Sequence, residues 1–210
     1  NDFIRKEFSN VNTKNILLPS GVDLEIFNTS EVDIKASKKI SFIGNLLRFG
    51  KERNLDTVIN AFSSPELKDY QLNIAGGPDS EAKKIKNLLL EKNIPNINVI
   101  GRLNREEIVH ELLSSSVGLL VNAPDKHSKY FTSPLKFFEY LAASLKVVAV
   151  DFPAHRVLPN QENIFYFENN KNSLIEAVKK ACNSDFKEID LENISLDNRA
   201  KKIIELFENF

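Results

Sequence analysis

The sequence predicts an α/β fold, a three-layer sandwich in which helices cover both faces of a mainly parallel sheet of about six strands. Two observations carry this prediction. From Lys39 onward, short apolar runs alternate with amphipathic segments, which is typical of repeated strand–helix units. One run, residues 147–150, is apolar at every position, as expected of a strand that is buried on both sides.

The individual elements follow from the same patterns in chain order. Predicted strands span residues 40–44, 70–75, 97–100, 117–121, 147–150 and 164–167, and a short strand at 15–18 precedes them. Predicted helices span residues 55–63, 79–91, 105–114, 135–143, 174–183 and 197–207, and residues 2–8 also have helical spacing. Residues 31–39 are polar and predict a loop.

Composition and charge restrict the classes of function. The chain has 210 residues, of which 42% are hydrophobic, so it can bury a large core. Its net charge of −1 gives no electrostatic reason to expect a nucleic-acid partner. A single cysteine, Cys182, fits a reducing compartment, and no apolar run approaches the length of a membrane span. We therefore expect a cytoplasmic protein with at most peripheral association with the inner face of a membrane.

A predicted helix start precedes the buried strand at 147–150. Ser133 occupies an N-cap position and Pro134 the first helical position. The spacing places one buried face on Leu135, Phe138, Leu141 and Ala142. The N–H groups at such a helix start can bind a phosphate, and Glu139, one turn after Lys136, could accept hydrogen bonds from sugar hydroxyls. The alternative is that Lys136 and Glu139 form only a surface ion pair.

The loop after the first predicted strand is rich in glycine and cations. Between Gly44 and Asn54 it contains Arg48, Lys51 and Arg53, a composition that suits a diphosphate. The alternative is an ordinary solvated basic loop. No G-x-G-x-x-G sequence follows the strand, which argues against a dinucleotide-binding dehydrogenase.

The histidines and carboxylates do not predict a metal site. No two histidines have the spacing of zinc ligands, and no Asp-x-Asp pair ends a strand. His127, in the loop at 122–131, is interpreted as a solvent-exposed side chain, and His155 lies in the turn after Asp151. We expect neither a metal nor an organic cofactor.

Five motifs, taken in order, resemble the C-terminal half of the family-4 retaining glycosyltransferases, which have the GT-B fold with Rossmann-like domains. They are Pro-Ser-Gly-Val-Asp at 19–23 with Phe27, Gly44 with its basic loop, Ile-Ala-Gly-Gly-Pro at 74–78, Val-Ile-Gly-Arg-Leu at 99–103, and Ser-Pro-Leu-Lys-Phe-Phe-Glu-Tyr-Leu-Ala-Ala at 133–143. Residues 199–204 also resemble the closing helix of that family.

The resemblance implies roles for single residues. Glu139 matches the acid that binds the nucleotide ribose, whereas the family's preceding acid, which is associated with the donor sugar, falls at Phe131. Either this subgroup recognises the sugar differently, or Ser133 and backbone N–H groups bind it instead. Asn45 stands where the family usually has an arginine, and Arg53 best matches its lysine.

The remaining implied roles concern the diphosphate and the base. Arg48 or Lys51 would supply the second cation, and Arg102 and Leu103 resemble the turn that meets the base. The implied catalytic residues are Arg53 and Glu139. The implied donor-binding set is Gly44, Asn45, Arg48, Lys51, Arg53, Arg102, Leu103, Ser133, Pro134, Leu135, Lys136 and Glu139.

The resemblance also implies an enzyme and a domain organisation. Residues 1–38 would form an inter-domain helix, a linker and a first strand, residues 39–194 the nucleotide-sugar-binding domain, and residues 195–210 a helix that packs toward an N-terminal Rossmann-like domain. No stretch of this chain matches that N-terminal domain, so we expect the donor-binding half of a hexosyltransferase. Its partners would be a UDP- or GDP-linked sugar and a glycan or lipid-linked acceptor of surface polysaccharide or glycolipid synthesis. The alternatives are a nucleotide-sugar epimerase of GT-B fold and a non-catalytic nucleotide-sugar-binding module.

Overall fold

A computed structural model of the protein describes residues 2–7, 18, 20–27, 38–48 and 50–208. Residues 15–17 of the predicted strand at 15–18 and most of the predicted loop at 31–39 lie outside these residues. No helix in the described part of the chain combines the length and the apolar character needed to cross a membrane.

The central element is a sheet of six parallel strands. Its strands are β1 (Lys39–Ile43), β4 (Gln71–Ala75), β5 (Ile97–Gly101), β6 (Val117–Leu120), β7 (Lys146–Val150) and β8 (Ile164–Phe167), in the spatial order β5-β4-β1-β6-β7-β8. A separate antiparallel hairpin joins β2 (Leu47–Arg48) and β3 (Lys51–Glu52). The six predicted strands from residue 40 onward are therefore confirmed, while the hairpin stands in what was predicted to be a loop.

The first helix precedes the sheet, and the other helices follow its strands. The helices are α1 (Asp2–Glu7), α2 (Leu55–Phe62), α3 (Asp79–Glu91), α4 (Arg105–Leu113), α5 (Lys126–Tyr130), α6 (Leu135–Ala142), α7 (Pro153–Arg156), α8 (Lys171–Cys182) and α9 (Leu196–Glu208). Short 3-10 turns occur at Glu25–Phe27, Pro65–Leu67, Gln161–Asn163 and Leu191–Ile194. The short helices α5 and α7 occupy segments that were predicted to be a loop and a turn.

The core has two parts, one on each face of the sheet. On one face Phe42 of β1 packs with apolar side chains of α2, α3 and α8. On the other face its neighbour Ile43 packs with side chains of α4 and α6. Successive strand residues point to opposite faces, so the continuous apolar runs supply both parts. The predicted three-layer α/β architecture is confirmed.

Helix α6 differs from the prediction at its start. It begins at Leu135 with Pro134 as the N-cap residue and without a side-chain cap. Ser133 is therefore not the N-cap, and its hydroxyl lies 3.2 Å from that of Ser20.

The buried face of α6 also differs from the prediction. The buried residues are Phe137, Phe138, Tyr140 and Leu141. Leu135, predicted to be buried, is 59% exposed, and Ala142 is only half-buried. The sheet covers one side of the helix and the turn at Leu191–Ile194 covers another, so the buried face is wider than one stripe, whereas Leu135 in the first turn meets solvent.

Helix α8 begins three residues before its predicted start. The side chain of Asn170 accepts a hydrogen bond from the backbone N–H of Ser173 at 2.9 Å and caps the helix there. The prediction started at the first apolar residue, Leu174, and so missed the polar first turn.

The segment at 20–27 packs against a distant part of the chain. Val22 donates its N–H to the carbonyl of Ile194 at 2.8 Å and accepts from the N–H of Leu196 at 2.9 Å. A Cβ on Gly21 would lie 2.9 Å from the carbonyl oxygen of Ser195, so the approach requires glycine. The described part of the predicted linker therefore joins the start of α9, and the predicted domain boundaries stay predictions.

Candidate functional site

A crevice opens in the sheet where the strand order reverses. From β1 the chain adds β4 and β5 on one side, and then β6, β7 and β8 on the other. Strands β1 and β6 pair only at Ile40 with Val117 and Ser41 with Gly118, so their carboxyl ends diverge. In open parallel sheets this position is the usual site for ligands.

Tyr140 of α6 fills the gap between the diverging strands. Its hydroxyl accepts from the N–H of Ile43 and donates to the carbonyl of Leu119, each at 3.3 Å. The ring lies against Gly118, where a Cβ would come within 2.3 Å of it. Burial raises the pKa of this phenol, so it remains a neutral donor. Tyr140 thereby fixes α6 at the crevice.

Two arginines from the hairpin region meet at one side chain beside the crevice. Arg53 Nη2 donates to Asn122 Oδ1 at 2.5 Å, and Arg48 Nη1 donates to the same oxygen at 3.3 Å. Arg53 Nη1 also donates to the backbone carbonyl of Asn45 at 3.2 Å. A guanidinium has donors only, so the amide oxygen of Asn122 must face the arginines.

Arg53 carries a positive charge that the described residues do not neutralise. Burial lowers its pKa, the charge of Arg48 lowers it further, and Tyr140 counteracts both more weakly. Its Nε is buried without a hydrogen-bond partner, and no carboxylate among the described residues lies within ion-pair distance of it. The guanidinium carbon lies 5.5 Å from the centre of the Phe42 ring. The site therefore favours an anion.

The glycines let the backbone close around this charge. A Cβ on Gly44 would lie 3.0 Å from Arg53 Nη1, so the glycine leaves room for the guanidinium. A Cβ on Gly76 would lie 1.8 Å from the carbonyl oxygen of Gly44, so the turns after β1 and β4 can approach each other only without side chains. A cleft of about 340 Å³ lies here, lined among others by Gly44, Asn45, Gly77, Arg102, Leu103 and Lys136.

The start of α6 supplies the other wall. Lys136 lines the cleft, and its Nζ lies 2.5 Å from Glu139 Oε2. The two side chains are 28% and 24% exposed. The ion pair that was one of two interpretations of these residues is therefore present, and it holds the Glu139 carboxylate beside the cleft. Ser133 and Leu135 are exposed at the helix start.

Not every predicted residue converges on Arg53. Lys51 is exposed on β3, whereas Arg48 reaches Asn122, the residue that Arg53 also contacts. Arg102 is exposed and lies 3.9 Å from a carboxylate oxygen of Asp79. Phe131 packs near the ring of Tyr130, with 6.4 Å between the ring centres.

The histidines divide between the surface and the core. His127 is exposed, as predicted. His155 is fully buried, although the sequence placed it only in a turn. Its Nδ1 lies 2.7 Å from the carbonyl oxygen of Val150.

The sequence interpretation missed three residues that shape the site: Asn122, Thr132 and Tyr140. Thr132 is buried and accepts from Arg48 Nη2 at 3.4 Å. One signal was available for Asn122, because it is the first polar residue after the apolar run at 117–121 and so stands at the carboxyl end of a strand. No comparable signal distinguished Tyr140 from the other aromatic residues of α6.

Several solved structures share this fold. The chain is similar to a glycosyltransferase from Rickettsia africae, with a TM-score of 0.71 and 13% identity over 99% of this chain and 61% of that chain. It is similar to Anabaena HepE in complex with UDP, with a TM-score of 0.67 and 13% identity over 90% of this chain and 56% of that chain. For TarM the TM-score is 0.66 and the identity 20%, over 97% of this chain and 41% of that chain.

These structures are longer than the chain and several contain ligands. The chain spans between 41% and 61% of the length of the three proteins. Another structure of HepE contains UDP and glucose, and a Staphylococcus aureus TarM variant was solved with UDP, fondaparinux and α-GlcNAc-glycerol.

Sequence comparison identifies the family. No curated protein sequence matches the chain significantly. A family-wide sequence profile described as glycosyl transferases group 1 matches residues 37–184, which include the whole six-stranded sheet and the crevice. The chain belongs to the group 1 glycosyltransferases.

Proposed function

We propose that the chain is the nucleotide-sugar-binding domain of a retaining glycosyltransferase. The enzyme would transfer a hexose from a UDP- or GDP-linked sugar to a glycan or lipid-linked acceptor, in the synthesis of a surface polysaccharide or glycolipid. One observation carries the proposal: Arg53 and Arg48 converge on a neutral amide at the crevice where the strand order reverses. The complexes of HepE and TarM with UDP support the choice of ligand class.

The chemistry of transfer suits this arrangement. When the bond to the sugar breaks, negative charge develops on the departing diphosphate, and fixed positive charge at that place lowers the barrier. Arg53 supplies such a charge, and the free N–H groups at the start of α6 face the same anion. Arg53 is thus the proposed catalytic residue for the leaving group.

The other predicted residues take binding roles in the proposal. Gly44 and Asn45 bring the backbone close to the diphosphate, and Arg102 and Leu103 line the same cleft, where they would meet the base. Lys136 holds the Glu139 carboxylate in place, and that carboxylate accepts hydrogen bonds from the ribose hydroxyls.

Replacement of Glu139 tests the ribose contact. We expect Glu139→Ala to weaken UDP binding by about 1–3 kcal/mol, the usual loss for hydrogen bonds to a charged group. Calorimetry with UDP and with its 2′-deoxy analogue measures this, and the preference for UDP should disappear in the variant. Lys136→Ala breaks the ion pair but keeps the carboxylate, so it should retain a preference for UDP over the 2′-deoxy analogue. Equal UDP affinities of Glu139→Ala and wild-type protein would leave Glu139 with the ion pair as its only role.

Calorimetric titration of the chain tests the proposed function itself. UDP, GDP and ADP are each compared with the corresponding nucleoside. We expect at least one diphosphate to bind much more tightly than its nucleoside, and this advantage should shrink as salt rises because partly exposed charges are screened. If no diphosphate binds better than its nucleoside, the proposal is wrong.

A further inference from the structure

Asn122 is the residue on which the two arginines depend for their positions. It is 2% exposed, and it lies two residues after the end of β6, on the far side of the crevice from β1. Its Oδ1 accepts from Arg53 at 2.5 Å and from Arg48 at 3.3 Å. Because the strand holds its backbone, the amide gives both flexible side chains one fixed anchor point.

The lack of charge on this anchor is notable. A carboxylate is the side chain that would best offset two neighbouring guanidinium groups, and Asp differs from Asn by one atom. Burial and the charge of Arg48 both lower the pKa of Arg53. A carboxylate at position 122 would raise this pKa and so oppose both effects. With Asn there instead, Arg53 keeps its charge available for a ligand.

We propose that Asn122 is a positioning residue that orients Arg53 and Arg48 for the diphosphate and, being neutral, leaves the charge of Arg53 for that ligand. The inference rests on the proposed function. It assigns to Asn122 a role in the selectivity of that site for anions with several charges. An aspartate here would act as an internal competitor of the diphosphate. A negative charge at position 122 should therefore stabilise the folded protein and weaken its binding of the diphosphate.

The test compares Asn122→Asp with wild-type protein in the 210-residue chain. We expect the melting temperature to rise by about 2–4 °C, because the partly buried Arg53 gains a counter-ion. We expect the affinities for UDP and for inorganic pyrophosphate to fall about tenfold or more, while the affinity for uridine stays unchanged. Asn87→Asp, on the exposed face of α3, is the matched control for the added charge, and it should change neither quantity.

Asn122→Ala separates orientation from charge. It removes the acceptor without adding a counter-ion, so UDP affinity should again fall about tenfold while uridine affinity is retained. If Asn122→Asp does not fold, the UDP and uridine affinities of Asn122→Ala still test whether Asn122 positions the arginines.

The outcomes that overturn the inference differ from those that overturn the proposed function. If Asn122→Asp binds UDP as wild type does, or if it loses stability and loses UDP and uridine affinity equally, Asn122 only packs the strand end. If Asn122→Ala binds UDP normally, it does not position the arginines. Failure of the proposed function appears instead in the wild-type protein, as UDP that binds no better than uridine. If wild-type protein does not bind pyrophosphate either, the inference fails with it.

Discussion

At Arg53 the free energy of folding and the free energy of ligand binding act in opposite directions. A partly buried guanidinium that meets only neutral acceptors costs folding free energy, because its charge is removed from water without a counter-ion. The same lack of compensation makes the charge available to an anion in the crevice. A residue that is unfavourable for stability is therefore favourable for binding.

This opposition leads to a prediction for Arg53→Ala. UDP affinity should fall by about 1.5–3 kcal/mol, while uridine affinity changes little, because the lost hydrogen bonds go to the phosphates. Titration with both ligands measures the difference. Lys51→Ala, at the exposed position two residues earlier, is the matched control and should cost much less. Equal losses for UDP and uridine would mean that Arg53 acts through folding.

A second residue, His155, gives a prediction for pH. Burial lowers its pKa from 6.5, the contacts with Val150 and Asp151 oppose that shift, and the charge of Arg48 adds to it. If Nδ1 donates to the carbonyl of Val150, protonation adds a proton at Nε2, which is buried without an acceptor in the described structure. The unfolded chain therefore binds this proton more readily than the folded chain.

The sign of the pH dependence follows from that difference. The contribution of His155 to stability is complete above its unfolded pKa and is lost as the pH falls below it, by at most about 1.4 kcal/mol per pH unit. Urea unfolding between about pH 8 and about pH 5 measures the slope. His155→Gln should flatten it, and His110→Gln, on the exposed face of α4, is the matched control. A slope that stays the same in His155→Gln would contradict this account.

At the scale of elements, the short helix α6 links the strands on either side of the crevice to the cleft. Its eight residues bring Tyr140 between β1 and β6, and Lys136 and Glu139 to the cleft. The hairpin β2–β3 has a similar role, since it carries Arg48 and leads into Arg53. Both elements connect the two halves of the sheet across the crevice.

Tyr140→Phe tests the connection through α6. The change keeps the ring but leaves the N–H of Ile43 and the carbonyl of Leu119 without their partner, at a cost of about 1–3 kcal/mol in unfolding free energy. UDP affinity should also fall, because Ile43 directly precedes Gly44 in the cleft. Tyr166→Phe is the matched control: its hydroxyl donates to the carbonyl of His155 at 2.8 Å, away from the crevice. If both variants bind UDP equally well, Tyr140 does not support the site.

The pattern of apolar residues predicted the six strands and the longer helices because burial imposes a period on them. It could not predict the hairpin or α5, since strands of two residues and a helix of five are too short to show a period. It placed Leu135 inside because spacing identifies a face but not what covers it.

The site was predictable to a similar degree. Arg48 and Arg53 stood out because cations and glycines share one loop after a strand. Their partner Asn122 lies on β6's carboxyl end, and β6 becomes the neighbour of β1 only through the strand order. Local sequence does not specify that order, so the contact could not be derived from it.

At the scale of the whole molecule, the proposed function gives the chain one side of a reaction that needs two, the donor side. Its cleft is an open depression at the carboxyl ends of β1 and β4. Water reaches a donor bound there, which weakens the stabilisation of the departing diphosphate. The acceptor is also not held against the donor. In favourable cases, holding the two reactants in position lowers the activation barrier by about 7–11 kcal/mol.

We therefore expect the chain alone to bind a nucleotide sugar without transferring it at an enzymatic rate. Joining it to an N-terminal Rossmann-like domain of the same enzyme should raise the rate by several powers of ten. The measurement uses labelled nucleotide sugars and a panel of glycan and lipid-linked acceptors, with UDP binding as the control for folding. Transfer by the chain alone at about 1 per second would show that it is a complete enzyme.

The contact between Val22 and residues 194–196 has a consequence for protein synthesis. A ribosome that adds about 5–20 residues per second must translate roughly 170 further residues after Val22 before its partner exists. For that interval, on the order of ten seconds or more, Val22 lacks its partners at residues 194–196, although α4, which packs against the turn at Glu25–Phe27, already exists. The nascent sheet can form in the meantime, but the surface that these residues cover stays open to chaperones until the last two helical segments emerge.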